Sequence, residues 1–204
     1  LKELRNFAEQ NHVPIILKDT EGLLRALIKL KKPARVLEIG TAVGYSSCVF
    51  ADACRCMVTT VELDDKMADI AEHNIRSFGF EEKIKVVRGD AAEYLKQLAQ
   101  RPQSEAGSTF DMVFIDAAKS HYREFWDLSM PFVSQDCIVI CDNVLMKGMT
   151  ASDEFDIKHR YKTSIRNMRE FITYINKLDY AETAVLPVGD GVSVSLLNKH
   201  HPDK

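Results

Sequence analysis

The stretch "YAETAVLPVGDGVSVSLLNK", Tyr180 to Lys199, decides how the sheet of this protein ends. "YAETAVLPV" and "GVSVSLLNK" read as strands, with only "GD" between them. Two strands around so short a glycine-containing turn make a hairpin. The final strand is therefore antiparallel to its neighbour. A dinucleotide-binding fold would instead close with another helical crossover.

Upstream, apolar runs alternate with amphipathic ones. "ARVLEIG", "MVTTVELD", "KIKVVRGD", "FDMVFID" and "DCIVICDN" read as strands, several of them continuous apolar runs as in a sheet buried on both faces. The helices are "LKELRNFAEQ", "TEGLLRALIKL" with Thr20 as N-cap, "YSSCVFAD", and "DDKMADIAEHNIRSFG" closed by Gly79. They continue with "AAEYLKQLAQ", "SHYREFWDLSMPFV" and "TSIRNMREFITYINKLD". "RPQSEAGST" is a polar surface loop. Such alternation predicts an α/β fold: a doubly wound seven-stranded sheet, mostly parallel, with a C-terminal antiparallel hairpin. No repeat or linker divides the chain, so residues 1–204 are expected to form one domain, with helices in 1–31 packing on its core.

Composition sets the outer limits. The chain has 204 residues, 46% apolar and 28% charged, as in ordinary globular proteins. No apolar stretch is long enough to cross a bilayer. A net charge of −3 excludes a uniformly cationic surface but leaves room for a local basic patch. The five cysteines, an odd number, suit reduced core thiols and a cytoplasmic setting. Cys54 and Cys56 are too close for a C-x-x-C pair, which argues against zinc.

Three strand ends carry the signals of a nucleotide cofactor. "EIGTAVGYSS" contains Gly40 and Gly44 in a G-x-x-x-G spacing, which lets the backbone turn tightly and approach a ligand. The NAD fingerprint G-x-G-x-x-G is absent. Glu62 ends the second strand, 22 residues after Gly40, where an acid can accept from both ribose hydroxyls. Asp90 ends the third strand and can accept from an adenine amino group. Each feature alone also reads as a turn or a helix cap. Their occurrence on three consecutive strand ends favours a cofactor.

The fourth and fifth strands end in oxygen donors: Asp116, then Asp142 and Asn143. Three such donors without sulfur or imidazole suit a hard ion such as Mg²⁺. Asp142–Asn143 alone also reads as a turn. Lys119 follows Asp116 by three residues, placed either as a base or as a solvated helix-start lysine.

The motifs "EIGTAVGYS", "VELD", "GDA", "DAAK" and "DNVL", in that order, resemble those of the metal-dependent O-methyltransferases of the catechol and caffeoyl-CoA type. The parallel sheet with its terminal hairpin is also the layout of class I S-adenosylmethionine methyltransferases. The resemblance implies that Asp116, Asp142 and Asn143 bind the metal and that Lys119 is the catalytic base beside Asp116. It implies a cofactor pocket formed by Ile16, Glu38, Gly40, Gly44, Tyr45, Ser46, Glu62, Asp90, Ala91 and Asp116. Where mammalian catechol enzymes carry a bulky aromatic after the first ligand, this chain has Ala117 and Ala118, a departure at the adenine-stacking position. "HVPII", "DNVLMKGM" and "PVGDGVSVS" further resemble the bacterial branch that methylates 5-hydroxyuridine in tRNA.

The expected reaction moves a methyl group from S-adenosylmethionine to a hydroxyl. Mg²⁺ would lower the hydroxyl pKa, and Lys119 would take its proton. Catechol and 5-hydroxyuridine both offer two adjacent oxygens. Lys158, Arg160, Lys162, Arg166 and Arg169, interleaved with His159 and Tyr161, can grip phosphates and stack on bases; Lys147 lies just upstream. The same cations also suit CoA phosphates or a plain solvated helix start. The expected partners are tRNA or, as the alternative, a small phenolic substrate. A cofactor-binding protein without catalysis is a further alternative, weakened by the joint presence of Asp116, Lys119, Asp142 and Asn143. A homodimer with no membrane partner is the expected form.

Overall fold

A computed structural model describes residues 1–10, 13–100, 109–156 and 160–198. Two helices come first, α1 (Lys2–Gln10) and α2 (Lys18–Lys31). The sheet then begins: β1 (Arg35–Ile39), α3 (Tyr45–Ala53), β2 (Met57–Glu62), α4 (Asp65–Ser77), β3 (Ile84–Arg88) and α5 (Ala91–Ala99). Next come β4 (Phe110–Ile115), α6 (Tyr122–Ser129), β5 (Val133–Cys141), α7 (Lys162–Ile175), β6 (Ala181–Leu186) and β7 (Val192–Leu197). The strand order is β3-β2-β1-β4-β5-β7-β6. β1 to β5 are parallel, and β7 is antiparallel to both β5 and β6. This is the expected seven-stranded, mostly parallel sheet.

Burial follows from strand pleating. Successive β4 side chains point to opposite faces. Val113 and Ile115 join a core with Leu95, Trp126, Phe171 and Ile175, whereas Met112 and Phe114 join one with Leu24, Ile28, Val49 and Phe50. Helices α5, α6 and α7 thus cover one face, and α2, α3 and α4 the other. Phe50 meets Phe114 edge-on, with ring centroids 5.3 Å apart, and Tyr122 meets Phe171 in the same way at 5.7 Å.

The parallel strands stop in register, and one hydrogen bond beyond each end keeps the exits aligned. Gly40 N–H donates to the Val61 carbonyl at 3.0 Å, Asp116 to Ile39 at 3.0 Å, Asp142 to Ile115 at 3.0 Å and Gly89 to Glu62 at 2.8 Å. Four strand ends therefore present their next residues along one edge. The strand order reverses between β1 and β4, and ligands of such sheets bind outside the carboxyl ends at that point.

Three boundaries differ from the sequence reading. Thr20 is not an N-cap: α2 begins at Lys18, with Leu17 in the cap position, and Thr20 is fully buried inside the helix. A Cβ on Gly189 would lie 2.3 Å from the Thr20 hydroxyl, so this residue packs against the β6–β7 connection. That connection spans 187–191, not two residues, because positive φ at Gly189 and Gly191 folds it back on itself. The region read as one helix over "SHYREFWDLSMPFV" is α6 flanked by 3₁₀ turns, Lys119–His121 and Met130–Phe132. Most of the loop "RPQSEAGST" falls outside the described residues.

Candidate active site

The glycine loop follows β1. Gly40 has φ +94°, and a Cβ there would lie 2.2 Å from the Asp116 carbonyl oxygen. Only glycine lets β1 and β4 leave the sheet this close together. Gly44 (φ +79°) starts α3, and a Cβ there would press on Ala71 at 3.3 Å. Glu62 binds the loop directly: Oε2 accepts from the N–H groups of Thr41 (3.0 Å) and Ala42 (2.7 Å), and Oε1 from Asp64 N–H (2.9 Å). The sequence offers Glu62 a ribose role or, as the plainer alternative, a helix-cap role. The structure adds that it ties the glycine loop to the end of β2, using three acceptor positions of the roughly four on a carboxylate.

Ile16, Gly40, Tyr45, Ser46 and Asp116 come together around one pocket, joined by Pro14 and Thr41, which the sequence did not single out. Glu38 lies beneath it, fully buried. Burial pushes its carboxyl up to about 7 against bonds from Ser46, Ser47 and Thr60, and the nearby Asp116 adds to the rise. The Ser47 hydroxyl donates to Glu38 Oε2, while among the described residues Oε1 has no partner. Glu62, Asp90 and Ala91 lie farther along the strand edge, outside this pocket. Asp90 takes the cap role: its Oδ1 accepts from Glu93 N–H at 3.0 Å and opens α5, with Ala91 as the first helical residue.

Asp116 and Asp142 end neighbouring strands, and the charge of Asp142 bears on Asp116. Burial, then Asp142, push the Asp116 carboxyl up to about 6, against the pull of Lys119. Burial also raises the Asp142 carboxyl, against bonds from Asn143. Among the described residues, no hydrogen bond reaches the Asp116 carboxylate. Asn143 sits in the left-handed region (φ 58°), which asparagine tolerates, and its N–H donates to Asp142 Oδ1 at 2.7 Å. Asp142–Asn143 therefore forms the turn that the sequence also allows. Lys119 Nζ donates to Asn143 Oδ1 at 3.2 Å, which brings the candidate base to the candidate donors.

Two supports were not legible in the sequence. The Tyr122 hydroxyl donates to the Asp142 carbonyl at 2.9 Å. Asp190 accepts from Lys147 N–H through Oδ1, and its carbonyl accepts from Leu145 N–H at 3.0 Å. The tip of the β6–β7 hairpin thus grips the segment after Asn143. The sequence marked Asp190 only as a turn residue.

The cationic segment separates into parts. Arg169 is used structurally: it donates to the carbonyls of Thr150 (2.9 Å) and Met149 (3.1 Å) and pairs with Asp153. Arg160, Lys162 and Arg166 are exposed at the start of α7, as is Lys147 beside the donors. α7 packs on the 3₁₀ turn that carries Lys119. Lys158 and His159 lie outside the described residues. All five cysteines are free, and burial pushes Cys48 and Cys141 up to about 12, as inert core thiols. Among the described residues, no three His, Cys, Asp or Glu side chains form a metal cluster, and no helix is long and apolar enough to cross a membrane.

A parallel sheet closed by an antiparallel strand, with a glycine loop and acids along one strand edge, defines the class I methyltransferase architecture. Residues 1–198 match the O-methyltransferase family profile. The chain is 30% identical over 151 residues to a catechol O-methyltransferase from Niastella koreensis, covering 72% of this chain and 66% of that enzyme. It is 30% identical over 208 residues to a caffeoyl-CoA O-methyltransferase from Populus kitakamiensis, covering 95% and 84%. A solved structure of a caffeoyl-CoA O-methyltransferase-like protein from Staphylococcus aureus matches with a TM-score of 0.88 at 30% identity, over 97% of this chain and 91% of that one. The Bacillus cereus O-methyltransferase solved with S-adenosylhomocysteine shares the fold, with a TM-score of 0.83 at 23% identity over 97% and 90%. The chain belongs to this O-methyltransferase family, the S-adenosylmethionine-dependent enzymes of catechol and caffeoyl-CoA type.

Proposed function

We propose that this protein is a Mg²⁺-dependent O-methyltransferase acting on a hydroxyl with a second oxygen beside it. The observation that carries this reading is the meeting of Asp116, Asp142, Asn143 and Lys119 at two adjacent strand ends. A half-buried Asp116 whose carboxyl is pushed up by the buried Asp142 beside it is an unfavourable arrangement unless a cation lies between the two. Their donor set is all oxygen, which fits a hard dication. Asp116, Asp142 and Asn143 would hold it, and when bound it would lower the pKa of the substrate hydroxyl. Lys119 Nζ, already beside Asn143, would remove that proton. The glycine loop, Ser46, Tyr45 and Ile16 would seat S-adenosylmethionine, with Glu62 on the ribose and Asp90 on the adenine. Much of the rate would come from holding the oxygen in line with the methyl group.

The cofactor half has its own test. Replacing Glu62 by alanine removes a ribose acceptor and unties Thr41 and Ala42. Affinity for S-adenosylhomocysteine, read by calorimetry, is expected to fall by about 1–3 kcal/mol. An unchanged dissociation constant would rule Glu62 out of cofactor binding.

For the substrate, we infer the 5-hydroxyl of 5-hydroxyuridine in tRNA, which would give 5-methoxyuridine. The exposed Arg160, Lys162 and Arg166 at the start of α7, a helix that packs on the Lys119 turn, support an anionic carrier. A small catechol or an acyl-CoA phenol is the second reading, favoured by the names of the curated relatives. Changing the three cations to alanine should weaken tRNA binding. It should also flatten the slope of log affinity against log salt by roughly 0.7–0.9 per lost contact. Turnover of a small catechol should barely change. Equal loss on both substrates would make the segment a structural lid. Five free thiols support a reducing, cytoplasmic location. A homodimer belongs to the same proposal, and mass in solution tests it.

A further inference from the structure

Arg5 is an arginine only 8% exposed, on a helix that buries just two other residues, Leu4 and Ala8. A buried guanidinium is costly unless its donors are used, and here they reach three parts of the chain beyond α1. Nη2 donates to Glu21 Oε2 on α2 at 2.8 Å and to the Ile16 carbonyl at 3.0 Å. Nε donates to the Tyr45 hydroxyl on α3 at 3.0 Å, and the guanidinium carbon lies 4.7 Å from the Tyr45 ring centroid. Nη1 binds Glu9 at 3.2 Å within α1. Tyr45 in turn donates to Glu21 Oε2 at 2.8 Å.

An ion pair with Glu21 would be enough to dock α1. The two additional bonds go to neutral groups, and both belong to residues that line the candidate cofactor pocket, Ile16 and Tyr45. We propose that Arg5 is a positioning residue of the cofactor site: it sets the segment 13–16 and Tyr45 against the glycine loop, so that docking of α1 and binding of the cofactor are coupled. The proposal rests on reading that pocket as the S-adenosylmethionine site.

The coupling follows from two properties. Few apolar contacts hold α1, so it belongs to the low-stability end of the fold. If the pocket is complete only when α1 is docked, the apparent dissociation constant is the intrinsic one divided by the docked fraction. By reciprocity, the cofactor must favour docking by the same factor. Lysine cannot replace this device fully, because a single ammonium lacks the planar fork that reaches Ile16, Glu21 and Tyr45 together.

The test compares Arg5→Met, Arg5→Lys and Lys31→Met with the wild type by calorimetry with S-adenosylhomocysteine and by thermal unfolding. Lys31 is the control: it ties the far end of α2 to Asp136 at 2.7 Å and does not line the pocket. Arg5→Met is expected to raise the dissociation constant at least about tenfold, the result if roughly a tenth of the molecules stay docked. Arg5→Lys should fall between it and the wild type. Lys31→Met should lower the melting temperature and leave the dissociation constant within about twofold. A lowered melting temperature with unchanged affinity in Arg5→Met would make Arg5 merely structural and overturn the proposal. An equal affinity loss in Lys31→Met would do the same.

Should Arg5→Met fail to fold, the wild type decides. Amide exchange in Lys2–Gln10 and 13–16 should slow when S-adenosylhomocysteine is added, and no slowing overturns the coupling. A wild type that does not bind S-adenosylhomocysteine removes the cofactor reading itself. Binding that ignores Arg5 removes only this inference.

Discussion

Replacing Lys119 by methionine is expected to lower kcat by about 10²–10⁴-fold, the usual worth of a positioned general base. Methionine keeps an unbranched apolar stem and removes only the ammonium. The cofactor affinity should hold, because Lys119 does not line the pocket formed by Ile16, Tyr45 and Ser46. One ambiguity needs a second variant. Lys119 also donates to Asn143 Oδ1 at 3.2 Å, so its loss also frees a side chain that is proposed to hold the metal. Lys119→Arg separates the two roles. Arginine keeps the positive charge and the donors but cannot give up a proton at working pH. A base therefore stays lost in Lys119→Arg, whereas a tether for Asn143 is restored. Arginine turnover within about tenfold of the wild type would reduce Lys119 to an electrostatic tether.

That pair of residues illustrates what the sequence could disclose. Strand ends are legible because a buried parallel strand is a continuous apolar run, and its first oxygen-bearing residue marks the exit. Asp116 and Asp142 were found in that way. The hairpin was legible too, but not its order in the sheet. β7 rather than β6 pairs with β5. The cue was present: β6 carries exposed Glu182 and Ala184, as an edge strand does, whereas Ser193 and Ser195 of β7 are fully buried. Local alternation does not encode which of two adjacent strands lies inside. Arg5 and Asp190 were missed for a different reason. Apart from Glu9, their partners lie 11 to 45 residues away in sequence, and only the folded chain brings them into contact. Thr20 was misread because a cap residue before an apolar run and a buried threonine within a helix have the same local signature; here the neighbouring Gly189 decides between them.

Asp142→Asn is expected to remove Mg²⁺-dependent turnover, by about 10²-fold or more, while leaving S-adenosylhomocysteine binding intact. Asparagine is chosen because its oxygen can still accept from the Asn143 N–H, so the left-handed turn survives. The charge is what disappears, and with it most of the attraction for a hard dication. Stability gives an independent readout. Asp116 and Asp142 both have folded pKa values above their ordinary range, so the folded state holds their protons more tightly than the unfolded chain. Their contribution is therefore present at low pH and declines as pH rises from the ordinary aspartate value near 4 to about 6, the raised value of Asp116. Metal-free wild type should lose stability across that window. Asp142→Asn should lose less, because one charge is gone and Asp116 no longer faces a carboxylate. Added Mg²⁺ should raise the melting temperature of the wild type above pH 6 and leave that of Asp142→Asn nearly unchanged. Full activity of the wild type in excess EDTA would end the metal mechanism. An equal Mg²⁺-induced shift in both proteins would place the ion elsewhere.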